Sequence, residues 1–130
     1  MAERKSKPNI NKIFALMDVL NKDKRYNPES YSFVMSALEF TTRKLRKKGH
    51  VTALELLVGI KEHAIEKFGP MARTVLEHWG IKTTNDFGEI VFNMIDVGIL
   101  GKSDQDSKED FNNSFDFKST FDKGCKYTIR

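Results

Sequence analysis

Three histidines, one cysteine and a Gly-Lys-Ser triplet are the residues of this chain best suited to chemistry, and their spacing argues against most of it. His50, His63 and His78 form no His-Glu-x-x-His pair, and Cys125 has no second cysteine near it, so zinc-ligand spacing is absent. Gly101-Lys102-Ser103 resembles the end of a P-loop. The glycine needed five residues earlier is Asp96, a helical pattern precedes the triplet and an acidic stretch follows it, so nothing there would cradle phosphate. Glu62, Glu66 and Glu77 are spaced as solvated helix-face charges, and no motif sets a Ser or Cys beside a base. The sequence therefore predicts no enzyme, no metal and no cofactor.

What remains is positive charge. Arg43-Lys44-Leu45-Arg46-Lys47-Lys48-Gly49-His50 is the densest polar feature. Lys24 and Arg25 lie in the turn before the same helix, and a basic arm precedes them. Residues 1–50 carry 12 Lys/Arg against 5 Asp/Glu (+7), residues 51–100 carry 4 against 7 (−3), and residues 101–130 carry 6 against 6 (0). Such asymmetry fits a polyanionic partner held through phosphate contacts and counterion release. It also fits a solvated helix end whose cations complement the helix dipole. The expected nucleic-acid contacts are Lys24, Arg25, Arg43, Lys44, Arg46, Lys47, Lys48 and His50, joined by Lys82 and Lys102 from a second feature described below.

The elements that must position these cations are helical. Ile10, Ile13, Phe14, Met17 and Leu20 form one apolar stripe of a first helix. Asn27 as N-cap, Pro28 and Glu29 announce a second, with Tyr31, Val34, Met35, Leu38 and Leu45 facing inward and Gly49 as its stop. Thr52 to Glu55 is a capping box, stapled by Val51 and Leu56, and opens a third helix reaching Gly69. Pro70 restarts the chain as a fourth, Met71 to Trp79, ended by Gly80. Thr83 or Thr84 caps a fifth, with Phe87, Ile90, Val91, Met94 and Ile95 as its stripe and Gly98 as its stop. The expected fold is mainly α: a compact bundle of about five helices. Trp79 is expected to be largely buried where the fourth helix meets the third and fifth, and His78 to be partly buried beside it.

The 130 residues suffice for one core, with residues 1–9 a flexible basic arm, 10–102 the helical domain, and 103–130 an acidic, Phe-containing segment partly docked on it. The fourth and fifth helices, followed by Gly98-Ile99-Leu100, have the order of a helix-turn-helix with a short strand or wing. Asp86 and Glu89 would face phosphates badly there, so Lys82 and Lys102 would carry the contact and the unit reads better as packing than as a reader of base edges. A lone cysteine fits a reducing compartment, and no apolar run approaches the ~20 residues that cross a bilayer, so a cytoplasmic protein without a membrane partner is expected.

Three blocks carry a family resemblance: Asp23 to Tyr31, Phe68 to Ile81, and Asp86 to Asn93. Together they resemble the short signature protein of the Planctomycetes–Verrucomicrobia–Chlamydiae bacteria, over about residues 13 to 117. The resemblance implies a housekeeping protein that binds nucleic acid, and it supplies no reaction and no active-site residues. The expectation is thus a non-enzymatic protein on RNA or DNA, with the ribosome or another protein as further partners. The alternative is a protein-interaction adaptor that uses a helical surface and Phe111, Phe115, Phe117 and Phe121.

Overall fold

The computed structural model describes residues 3–4, 10–46, 50–101 and 106–123. Five α-helices make up most of these: α1 (Ile10–Lys22), α2 (Pro28–Leu45), α3 (Ala53–Phe68), α4 (Ala72–His78) and α5 (Thr84–Asp96). Two short strands, β1 (Glu3–Arg4) and β2 (Leu100–Gly101), pair antiparallel, Glu3 opposite Gly101 and Arg4 opposite Leu100. The expected flexible arm is therefore, at residues 3–4, part of a strand pair, because the strand expected after α5 offers it a backbone edge.

Local chemistry sets the helix starts. The Asn27 side chain accepts from the Glu29 N–H (2.8 Å) ahead of Pro28. Thr52 and Glu55 exchange hydrogen bonds of 2.9 and 3.1 Å, the reciprocal pair of a capping box. The fourth helix begins one residue later than its sequence pattern suggests, at Ala72, because Gly69–Met71 forms a tight 3₁₀ turn first.

α2 ends earlier than expected, at Leu45, with Arg46 in the left-handed conformation (φ 53°) instead of running on to Gly49. The reason is packing: Leu45 is itself exposed, and no apolar residue follows it before Val51, so no core contact holds another turn. α2 and α3 lie unusually close. A Cβ on Gly59 would fall 1.7 Å from Oγ1 of Thr41, so glycine is what lets the two backbones approach. Val34, Ala37 and Leu38 of α2, Leu56, Leu57 and Ile60 of α3, and Phe87, Ile90, Val91 and Met94 of α5 share one core.

One expectation about that core is corrected. In α1, Phe14 and Met17 are 58% and 52% exposed, while Leu16 and Leu20 are partly buried, so the helix touches the bundle with the edge of its stripe. Within the C-terminal segment, Phe111, Phe117 and Phe121 are buried in the shared core and Phe115 packs against it. The Ser114 N–H bonds the Thr84 hydroxyl (3.0 Å), the Asn113 N–H bonds Asn85 Oδ1 (2.8 Å), and Arg73 of α4 grips Asp122 at 3.0 and 3.1 Å.

Candidate nucleic-acid interface

At the C-terminal end of α2 the sequence places Arg43, Lys44 and Arg46 where the last carbonyls and the negative end of the helix dipole face outward. All three are exposed. Lys44 is engaged: its ammonium pairs with Glu62 of α3 and lies 5.9 Å over the Phe40 ring. Arg43 and Arg46 have no ion-pair partner among the described residues. His50 is exposed beyond them, and Lys47 and Lys48 lie outside the described residues. Beside the cations runs an apolar groove of about 280 Å³ in which Leu45, Leu54 and Val58 are 43%, 66% and 45% exposed.

Lys24 and Arg25 were expected to extend this patch, and the helix itself separates them from it. An α2 of 18 residues spans about 27 Å, so the preceding turn sits at its opposite end. Arg25, although exposed, is moreover engaged by the chain's own carboxylates. Its guanidinium forks onto Asp23 (Nε to Oδ1 2.8 Å, Nη2 to Oδ2 2.7 Å), reaches Glu89 of α5 at 3.2 Å and lies 5.1 Å over the Tyr26 ring. Hydrogen bonding to Arg25 holds the Asp23 carboxyl well below the usual carboxylate range, and Asn93 adds a bond of 3.0 Å. This fork is a tether between the α1–α2 turn and α5.

The acids at the start of α5 belong to the same tether. Asp86 accepts from the Tyr26 hydroxyl (2.6 Å) and from the backbone N–H groups of Lys82 (2.8 Å) and Thr83 (3.1 Å). Burial, with this bond to Asp86, pushes the Tyr26 hydroxyl pKa upward and keeps it a donor. Glu89 is shared by Arg25 and Lys108. Their carboxylates therefore hold the fold together, in agreement with reading α4 and α5 as a packing unit. The three sequence blocks described above meet here: Arg25, Tyr26 and Asn27 from the first, Trp79 and Gly80 from the second, and Asp86, Glu89 and Asn93 from the third.

Their meeting shapes a polar cleft of about 500 Å³ whose walls include Lys24, Asn27, His78, Trp79 and Lys82. Lys82, expected as a contact, thus joins Lys24 and not the α2 end, while Lys102 lies outside the described residues. His78 is exposed, contrary to expectation, because α4 turns its last residue toward the cleft side. Trp79 is partly buried against the core: its ring packs on Phe33 of α2 (5.6 Å) and Phe68 of α3 (5.8 Å), with α2 taking the place expected of α5, and its remaining surface borders the cleft. Sequence reasoning passed over His78 and Asn27 because the neighbours that matter come from a different turn.

One Ser–His contact also escaped the sequence. Ser36 Oγ and His63 Nε2 are 3.0 Å apart, but His63 Nδ1 is buried without a partner and the ring sits between Phe33 and Phe40 at 5.5 and 5.0 Å. A nucleophile's base requires a third group to orient it, and none faces Nδ1, so the contact is one of packing. Among the described residues no group of His, Cys, Asp and Glu is placed to hold a metal ion, and no helix is long and apolar enough to cross a membrane. No family model, curated protein or solved structure matches the chain.

Proposed function

We propose that this is a non-enzymatic nucleic-acid-binding protein that grips backbone phosphates of RNA or DNA, with little sequence preference, through the C-terminal end of α2. The observation that carries the reading is the state of Arg43 and Arg46: both are exposed and have no carboxylate partner among the described residues, where a single cation would suffice to match the helix dipole. Lys44 stands between them, and the sequence adds Lys47, Lys48 and His50 directly after. Side chains of this kind gain affinity by displacing counterions from phosphates and carry no sequence information of their own. A cytoplasmic housekeeping role on RNA or the ribosome goes with this reading.

Titration of the protein with duplex DNA and with structured RNA at low and moderate salt tests it. Binding that weakens steeply as salt rises is expected; no binding at low salt, or binding indifferent to salt, would sink the reading. A protein-interaction adaptor is the alternative. Because Phe111, Phe117 and Phe121 fill the chain's own core, such an adaptor would have to use the groove of Leu45, Leu54 and Val58.

A further inference from the structure

We infer that the cleft between the α1–α2 turn and the α4–α5 turn is a binding site for a phosphate group, with Lys24 and Lys82 as its charged contacts and Trp79 as its wall. This site is separate from the α2 end and does not depend on the reading given for it.

Of the cations around the cleft, Arg25 is neutralised by Asp23 and Glu89. The carboxylate lining it, Glu77, shares Arg73 (3.5 Å) with Asp122, which holds the same guanidinium at 3.0 and 3.1 Å, so Glu77 offsets one of the two lysines. Lys24 and Lys82 are both exposed and have no ion-pair partner among the described residues, so even with Glu77 counted against them the net charge of the cleft is positive. A dianionic phosphate is the ligand class that two ammonium groups and neighbouring neutral donors recognise. The neutral donors are present. Asn27 uses its side-chain oxygen on the Glu29 N–H, which leaves its amide N–H groups without a partner among the described residues, and the Trp79 indole N–H has none either.

The cleft is also rigid. The Asn27 N–H donates to the Trp79 carbonyl (3.0 Å), which joins the two turns directly. Gly80 lies against the Arg25 carbonyl, and Asp86 fixes the Lys82 backbone N–H at 2.8 Å. The two lysines are thus brought to one cleft by backbone that is already in place, and a ligand need not assemble its own site. At about 500 Å³ the cleft exceeds a phosphate and admits a nucleoside phosphate whose base lies along the part of the Trp79 ring that borders it. The phosphate can come from a nucleic-acid backbone or from a free nucleotide.

Trp79 is the chain's single tryptophan, so its emission reports on this cleft alone. The experiment titrates the full chain at low salt with inorganic phosphate, with AMP and with a short single-stranded oligonucleotide. It follows Trp79 fluorescence together with the amide NMR shifts of Gly80 and Lys82. A saturable change is expected in both signals. The Lys24→Gln, Lys82→Gln double variant, altered only at exposed side chains, should keep the parent's circular dichroism and bind at least tenfold more weakly. Replacing the α2-end cations by Gln should leave the cleft signals unchanged. Saturation by AMP and inorganic phosphate identifies a free nucleotide as the source; saturation by the oligonucleotide alone identifies a backbone. Absence of a saturable change in both signals with every probe, or a folded double variant that binds as tightly as the parent, would overturn the proposal.

Discussion

Gly80 lies directly against the carbonyl oxygen of Arg25: at φ +94°, a Cβ on Gly80 would fall 2.1 Å from that oxygen. The contact joins the turn after α4 to the turn before α2, and it makes the glycine necessary for two reasons, backbone conformation and space. Gly80→Ala should therefore destabilise the protein by about 2–4 kcal/mol, the sum of a left-handed non-glycine residue and an overpacked contact. Urea unfolding of the variant measures this. A change well under 1 kcal/mol would mean that the two turns part readily.

A second close approach couples α2 to α3. Gly59→Ala should cost about 1–3 kcal/mol, because the new methyl meets the Thr41 hydroxyl. Thr41→Ala removes that hydroxyl and its bond to the Ala37 carbonyl (2.7 Å), leaving only Cβ, 2.8 Å from the new methyl. The double variant should thus recover part of the loss, and a double-mutant cycle by thermal unfolding should give a coupling of favourable sign. Strictly additive effects would show that the helices are not in contact at this point.

Acid should weaken the fold in two steps of the same sign. Burial lowers the His63 pKa, so the folded state prefers the neutral ring. Its contribution is whole above the ordinary histidine value of about 6.5 and is lost as pH falls below it. Asp23, held far below the usual carboxylate range by Arg25, contributes above about pH 4 and loses that contribution as pH falls further. Stability measured from pH 7 down to pH 3 should decline in both windows. His63→Phe should flatten the upper one and Asp23→Asn the lower. A variant that retains the parent's full slope in its own window would refute the assignment for that residue.

The α2 end can be separated from a merely solvated face by replacing Arg43, Lys44, Arg46, Lys47 and Lys48 together with Gln. Helix propensity barely changes, so the fold should lose only about 1–2 kcal/mol from dipole matching. Nucleic-acid affinity at low salt should drop by orders of magnitude, and the slope of log affinity on log salt should flatten by roughly 0.7–0.9 per contact removed. A folded variant with the parent's affinity and slope would leave these cations as solvated surface.

The helical character of the chain was legible in its sequence because the signals are local. Asn27-Pro28, the Thr52–Glu55 box and the stripe Phe87, Ile90, Val91, Met94 act within one or two turns of themselves, and each appears where its pattern places it. What tertiary structure decided concerns residues that meet across long stretches of chain. Arg25 reads as a free cation until Glu89 and Asp23 are seen around it. Lys24 reads as part of the α2-end patch until a helix of 18 residues intervenes and sets it beside Lys82 instead. Phe111, Phe117 and Phe121 stand among polar residues with no helical period, so only the space left between α3, α4 and α5 could draw their rings into the core. Local sequence determines backbone hydrogen bonding within an element. Which charges are neutralised and which remain available for a ligand depends on distances between elements, and those are set only when the core closes.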